Sequence, residues 1–280
     1  ARRSLKVMAG TFVLTVSLIL CMVFVPKKNA LDTLQKRETK AKETGKMTEE
    51  QLAKQKANGS ESDDTICTAD LTDDEILEGL NLLLIGDSIA VDVTDDFYEM
   101  FPNSVSDTKI GRITSLGKQV LDSYIDEKKW EGEGVIFASL SNSPINGELE
   151  DIREKIGKDM PLFLTTVRIP HETFEEESNS KIKKFVEEND HTYLIDWYAA
   201  SEGHDEYFDA DDTHLLSAGA KAYAKCIKEA VLAAYKKENI EIPKSRLSSG
   251  ADTSTDSSNA SSTDSNTDSS NDNRTDTSTE

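Results

Sequence analysis

The sequence predicts an α/β fold in which a parallel β-sheet is covered by helices on both faces. Short apolar runs of strand length recur through residues 80–244 and alternate with polar stretches of helix length. Runs that are apolar throughout are typical of strands buried on both faces. Because strand and helix alternate along the chain, parallel pairing is favoured. We therefore expect a three-layer α/β/α sandwich with a five-stranded, flavodoxin-like parallel sheet.

Each predicted element has its own signal. The predicted strands are 81–86, 104–110, 134–140, 161–167 and 192–197, of which 104–110 is the least apolar. The predicted helices are 89–101, 114–128, 147–158, 173–189 and a last helix that begins at Ser217. Cys226 flanks the apolar stripe of this last helix, which indicates a core residue more than a reactive thiol.

The segments on either side of the sandwich differ from it in composition. Residues 7–25 are uncharged and mostly apolar, so we predict one transmembrane helix within residues 1–26; the alternative is a signal peptide cleaved before Leu31. Residues 27–79 are charged and poor in large apolar side chains, which predicts a linker. Residues 245–280 are almost entirely Ser, Thr, Asp, Asn and Ala, which predicts a disordered tail.

Charge and cysteine content limit the partners. The formal net charge is −21, and an acidic surface repels nucleic acid, so we expect no nucleic-acid partner. Cys21, Cys67 and Cys226 have no metal-ligand spacing and form no disulfide framework, and we expect neither a metal nor a cofactor. Few cysteines are compatible with an exported domain that is stabilised by its core.

Four polar features follow the predicted strands where functional groups collect in parallel sheets, at their carboxyl ends. Each is weak by itself, since Gly-Asp-Ser is most often a turn or a helix cap. Their order along one sheet edge is the stronger signal. The features are Gly86-Asp87-Ser88 after the first strand, Gly111 after the second, Asn142 after the third and Asp211-x-x-His214 before the last helix.

These residue types favour nucleophilic catalysis. A serine hydroxyl such as that of Ser88 needs an adjacent base, and His214 has an aspartate, Asp211, at a spacing that lets it orient the ring. The Ser88 N–H at a helix N-terminus, the Gly111 N–H and the Asn142 amide are candidate donors to an oxyanion.

The arrangement resembles the SGNH hydrolase superfamily, and within it the extracytoplasmic C-terminal domain of OatA-type peptidoglycan O-acetyltransferases of the acyltransferase-3 family. The resemblance covers residues 80–238, and the run at 193–208 is its most specific part. It is carried by IGDSI (85–89), KIGRI (109–113), TTVRIP (165–170), YLIDWYAASEGHDEYF (193–208) and DDTHLLSAGAKAYA (211–224).

The resemblance implies a Ser88 nucleophile, a His214 base, an Asp211 orienter and an oxyanion hole formed by Ser88, Gly111 and Asn142. It implies transfer of an acetyl group to the C6 hydroxyl of N-acetylmuramic acid in peptidoglycan, without a metal. Residues 7–25 would be the last helix of a membrane acyltransferase domain that delivers the acyl donor, which places the domain outside the cell at the cell membrane. Two alternatives remain: an SGNH esterase with the same triad, and a non-catalytic module that binds the wall.

The chain departs from the usual pattern of this branch at two places. A block that usually reads Gly-Thr-Asn-Gly is Leu140-Ser141-Asn142-Ser143 here, so both glycines are replaced. The usual Asp-Gly before the histidine is Asp211-Asp212, which leaves open which of the two carboxylates orients the ring.

Three further residues are candidates for substrate contact. Arg112 and Arg168 match the branch, and the alternative for each is an ion pair with a carboxylate. Trp197 could stack on a sugar, and the alternative is packing after its strand.

Overall fold

A five-stranded parallel sheet forms the centre of the domain in the computed structural model, which describes residues 32–33, 35–56 and 64–247. The predicted membrane segment 7–25 and all but the first residues of the predicted tail lie outside them. Among the described helices, none combines the length and the apolar character that a bilayer span requires.

Helices and strands alternate along the chain as the sequence predicts. In chain order they are α1 (35–56), β1 (Thr65–Cys67), α2 (Asp73–Gly79), β2 (Leu82–Gly86), α3 (Ser88–Met100), β3 (Val105–Thr108), α4 (Thr114–Asp126), β4 (Gly134–Ala138), α5 (Glu148–Ile156), β5 (Leu162–Thr165), α6 (Glu175–Glu188), β6 (Thr192–Ile195), α7 (Trp197–Ala200), α8 (Ser217–Glu238) and β7 (Glu241–Pro243).

The sheet has the order β3-β2-β4-β5-β6, and each neighbouring pair is parallel. This order reverses direction next to β2, so the carboxyl end of β2 lies at the point where ligands bind in sheets of this kind. The predicted five-stranded parallel sheet is confirmed. All five residues of β2 are buried, as expected for a central strand covered on both faces.

Two apolar cores lie on opposite faces of the sheet. Side chains of α3 and α8, such as Phe97 and Ile227, pack on one face. Side chains of α4 and α6, such as Leu121 and Phe185, pack on the other. Cys226 packs partly buried against the first core, and burial raises the pKa of its thiol. The domain is therefore a three-layer sandwich.

Ordered packing extends to segments before residue 80. β1 pairs antiparallel with β7, and Ile242 of β7 is fully buried in the first core. Helix α2 begins with a capping box, in which Thr72 and Glu75 satisfy each other's backbone N–H groups. The pairing of β1 with β7 joins the segment before the sandwich to the segment after it.

Helix α1 lies in the segment predicted as a linker, and it is hydrogen-bonded to the sandwich. Thr48 Oγ1 donates to the backbone oxygen of Ser106 at 2.5 Å, and Gln55 Nε2 donates to the backbone oxygen of Asn103 at 2.9 Å. Its less exposed residues recur at a helical spacing, at positions 37, 40, 41, 44, 47, 48, 51, 52 and 55. Met47 packs against the first core and Leu52 against the second, and the other contacts of this face are mostly polar.

Replacing Gly45 by Ala is expected to raise the free energy of unfolding by about 1 kcal/mol. Gly45 lies inside α1, and a Cβ built there meets no atom within 4 Å, so alanine gains helix propensity without a clash. Urea unfolding of the wild type and the variant measures the change. Gly86→Ala is a control that should lower the free energy of unfolding, since its Cβ would lie 2.1 Å from that of Ala90. Equal or lower stability of Gly45→Ala would contradict the prediction.

Candidate active site

The site begins where β2 ends and α3 starts. Gly86 is required there because a side chain would overlap Ala90 on the first turn of the helix. Asp87 is the N-cap of α3, and its Oδ1 accepts a hydrogen bond from Ile89 N at 3.0 Å. Ser88 is the first residue of the helix, where backbone N–H groups are not used by the helix itself.

Ser88, His214 and Asp211 are connected by two hydrogen-bond contacts. Ser88 Oγ lies 2.9 Å from His214 Nε2, and His214 Nδ1 lies 2.7 Å from Asp211 Oδ2. The other carboxylate oxygen of Asp211 accepts from the backbone N–H groups of His214 at 2.9 Å and Thr213 at 3.2 Å. The four contacts hold the carboxylate of Asp211, the imidazole of His214 and the hydroxyl of Ser88 as one hydrogen-bonded series.

The electrostatics of Asp211 keep it ionised. Partial burial acts to raise the pKa of Asp211, but the hydrogen bonds from the backbone and ring of His214 outweigh it, and the pKa lies below its usual value. A charged carboxylate at Nδ1 favours the tautomer with hydrogen on Nδ1, which leaves Nε2 free to accept the Ser88 proton. The arrangement can therefore activate the hydroxyl.

Asp211 and Asp212 contact different histidines. Asp212 Oδ2 lies 3.3 Å from Nε2 of His171, and both of these side chains are exposed. Asp212 also has a positive φ of 54°, in the left-handed region where glycine is favoured and aspartate is tolerated. This backbone conformation accounts for a glycine at that position in the branch that the sequence resembles.

A buried carboxylate joins the start of α3 to the loop after β4. Asp87 Oδ2 accepts from Ser141 N at 3.1 Å and from Ser141 Oγ at 2.5 Å. Burial raises the pKa of Asp87, and the hydrogen bonds from Ser141 and Ile89 oppose that rise. The next residue, Asn142, is exposed, with its Nδ2 3.2 Å from Ser141 Oγ. The loop that carries Asn142 is thus attached to the helix that begins at Ser88.

Leu140 and Ser143 occupy the two loop positions that are usually glycine in the OatA-type pattern, and each side chain has a structural role. Leu140 is fully buried in the core on one face of the sheet. Ser143 Oγ accepts from Thr114 N at 3.1 Å, which supplies a cap to α4 that the N-cap residue Ile113 does not provide. Neither Leu140 nor Ser143 has a positive φ, so their backbone does not require glycine.

Gly111 and Arg112 follow β3 and have different environments. Gly111 is exposed and has a φ of 69°, so glycine suits its backbone conformation. The Arg112 side chain is buried: Nη2 lies 2.5 Å from Asp107 Oδ1, and Nη1 donates to the backbone oxygens of Asp107 and Gly86. The structure therefore favours the alternative for Arg112, an ion pair with a carboxylate, over contact with substrate.

Trp197 and Arg168 line a small cleft next to Asp87. The Trp197 ring is only 2% exposed and packs against Tyr223 and Tyr207, which favours the alternative, packing after its strand, over stacking on a sugar. Arg168 is half-buried, and its guanidinium lies 5.4 Å from the centre of the Tyr198 ring. Its contact with substrate stays a prediction.

Asp92 is a site residue that the sequence did not single out. It lies one helical turn after Ser88 on α3, and its Oδ2 accepts from Leu215 N at 3.1 Å, next to His214. The spacing of four residues from Ser88 was the available signal. In the described part of the chain, no group of three or more His, Cys, Asp or Glu side chains is arranged to hold a metal ion.

The doubly wound sheet, with a serine after its first parallel strand and a histidine before its last helix, is the arrangement that the resemblance to SGNH domains implies. Comparison with known proteins agrees. The chain is 33% identical over 146 residues to the O-acetyltransferase OatA of Staphylococcus aureus. It is 30% identical over 165 residues to a second S. aureus protein, provisionally named an O-acetyltransferase. The aligned parts cover 52% and 59% of this chain, but only 24% and 26% of those proteins.

The C-terminal catalytic domain of Streptococcus pneumoniae peptidoglycan O-acetyltransferase A (OatA) has the same fold, with a TM-score of 0.52 and 20% identity. The match covers 58% of this chain and 97% of that domain. No protein-family profile matches the chain. The predicted resemblance to OatA-type SGNH domains is confirmed, and the chain spans about a quarter of the length of the S. aureus proteins that it matches.

Proposed function

We propose that the domain transfers an acetyl group to cell-wall glycan through an acyl-enzyme on Ser88. The observation that carries the proposal is the continuous contact from Ser88 through His214 to Asp211, at 2.9 and 2.7 Å. This contact lies in a domain whose sequence relatives are named O-acetyltransferases.

In the first half-reaction, Ser88 Oγ attacks the carbonyl carbon of the acetyl donor while His214 Nε2 takes its proton. Asp211 stabilises the imidazolium that forms. The backbone N–H groups of Ser88 and Gly111 and the side chain of Asn142 donate to the oxyanion. The carbonyl re-forms, the donor leaves with the proton from His214, and acetyl-Ser88 remains.

In the second half-reaction, an acceptor hydroxyl replaces the donor. His214 takes the proton of the acceptor hydroxyl as the acceptor oxygen attacks the carbonyl carbon of acetyl-Ser88. It returns this proton to Ser88 Oγ when the ester bond to Ser88 breaks. The proposed acceptor is the C6 hydroxyl of N-acetylmuramic acid in peptidoglycan. With water as acceptor the same steps give an esterase, so the two activities differ only in the second half-reaction.

The proposal includes the setting of the domain. Residues 7–25 anchor it at the outer face of the cell membrane, and a membrane acyltransferase domain delivers the acyl donor. Residues 27–79, which include α1, β1 and α2 packed on the sandwich, connect the anchor to the domain at 80–244, and residues 245–280 are its tail.

The experiment supplies the full chain with an aryl acetate donor and a muro-oligosaccharide acceptor, and compares the wild type with Ser88→Ala. We expect phenol release by the wild type and an acceptor whose mass increases by one acetyl group, both lost in Ser88→Ala. Phenol release without acceptor acetylation would indicate the esterase. Equal rates for the wild type and Ser88→Ala would overturn both enzyme activities and favour a non-catalytic module that binds the wall.

A further inference from the structure

Arg37 of helix α1 reaches the loop that carries Asp211. Its Nη2 lies 3.0 Å from Asp209 Oδ2, its Nη1 lies 4.0 Å from Asp211 Oδ2, and its Nε lies 3.9 Å from Asp92 Oδ2. The side chain is only 11% exposed, so these contacts are shielded from water more than ordinary surface ion pairs. One guanidinium therefore faces three carboxylates around the site.

The three carboxylates come from two elements that must stay aligned. Asp92 lies on α3, the helix of the nucleophile, and it binds the backbone next to His214. Asp209 and Asp211 lie on the loop before α8, and Asp209 N donates to the backbone oxygen of His214 at 2.8 Å. Without a cation, like charges on helix and loop would repel each other. Arg37 bridges the two elements on which the Ser88–His214 contact depends.

Arg37 is held in place by the attachment of its own helix. Lys40 lies one helical turn after Arg37 on α1, and its Nζ donates to the backbone oxygen of Asp92 at 2.7 Å. The contacts of Thr48 and Gln55 attach the rest of α1 along the domain. Burial raises the pKa of Asp92, and the nearby charge of Arg37 opposes that rise more than any other group does. The arginine therefore has both a fixed position and an electrostatic effect on the site.

We propose that Arg37 is a positioning residue for the acyl transfer: it holds the loop of Asp209 and Asp211 against α3, so that His214 stays aligned with Ser88. Catalysis then depends on the attachment of α1, a helix outside the sandwich. The inference rests on the proposed function, since it assigns Arg37 a role in the same reaction.

The test compares Arg37→Gln with Lys36→Gln in the full chain, using hydrolysis of an aryl acetate. Both variants remove one positive charge from adjacent positions of α1, but Lys36 is exposed. For Arg37→Gln we expect kcat to fall about 10- to 100-fold with little change in KM, because misalignment of reacting groups costs rate. Lys36→Gln should match the wild type.

Rescue by the conservative variant provides a second readout. Arg37→Lys keeps the positive charge that faces Asp92, Asp209 and Asp211, but not the fork geometry of the guanidinium. We therefore expect Arg37→Lys to recover part of the kcat that Arg37→Gln loses, with little change of KM in either variant.

The outcomes separate this inference from the proposed function. If Ser88→Ala is inactive while Arg37→Gln matches Lys36→Gln in kcat, the role of Arg37 is wrong and the function stands. If Ser88→Ala keeps its activity, the function itself fails. If Arg37→Gln does not fold, Asp209→Asn decides instead, since it weakens the 3.0 Å contact: a fall in kcat supports the inference, and an unchanged kcat overturns it.

Discussion

Replacing Asp211 by Asn is expected to lower kcat for acetyl transfer about 10³- to 10⁴-fold, with little change in KM. The Oδ1 of the asparagine can still accept from the backbone N–H groups of Thr213 and His214, as the carboxylate does. Its NH₂ group then faces His214 Nδ1, which must become an acceptor. The ring hydrogen moves to Nε2, and this nitrogen can no longer take the proton of Ser88.

Asp212→Asn is the matched control for this prediction. It makes the same chemical change one residue along, at a side chain that contacts His171 and not His214. We expect it to keep nearly all of the wild-type kcat. Initial rates with an aryl acetate, measured for both variants together with their unfolding curves, decide the result. A larger loss in Asp212→Asn than in Asp211→Asn would assign the orienting role to Asp212.

The meeting of Ser88 and His214 could be predicted from sequence because both flank elements with strong signals. The apolar run of β2 marks a strand that is buried on both faces, and Ser88 lies two residues after its end. His214 precedes α8, whose apolar stripe is equally clear. Parallel topology then places both at one sheet edge, although they are 126 residues apart in sequence.

The attachment of α1 could not be predicted in the same way. Hydropathy reveals a helix that buries a continuous apolar face, whereas this one adds few apolar side chains, such as Met47 and Leu52, to its hydroxyl, amide and charged contacts. Thr48 and Gln55, for example, donate to backbone oxygens of the domain, and the sequence carries no signal for such partners. The contact of Arg37 with the site depends on that attachment, so it was missed as well.

The positions where the chain replaces a usual glycine of the OatA-type pattern show a related limit of prediction from sequence. A replaced glycine suggests an altered loop only if the backbone there needs glycine, and φ cannot be read from the sequence. Leu140 and Ser143 have ordinary φ values, and their side chains serve the core and the cap of α4. Asp212, in contrast, has the positive φ that favours glycine.

Replacing Arg112 by Ala is expected to lower the free energy of unfolding by about 3 kcal/mol. The substitution removes a buried guanidinium and leaves the Asp107 carboxylate, which is 26% exposed, without its cation. The Tyr124 hydroxyl still donates to Asp107 but supplies no charge. The backbone oxygens of Gly86 and Asp107 also lose a donor, next to the loop of Gly111. Urea unfolding monitored by circular dichroism measures the loss.

Arg168→Ala removes the same type of side chain from the loop after another strand and is the matched control. Arg168 is half-buried and lies over the Tyr198 ring, a contact worth about 1 kcal/mol at such sites. We therefore expect Arg168→Ala to be clearly more stable than Arg112→Ala. A higher KM for the glycan acceptor in Arg168→Ala, at unchanged stability, would support the predicted substrate contact. Equal destabilisation by both substitutions would contradict the distinction between a buried ion pair and an accessible arginine.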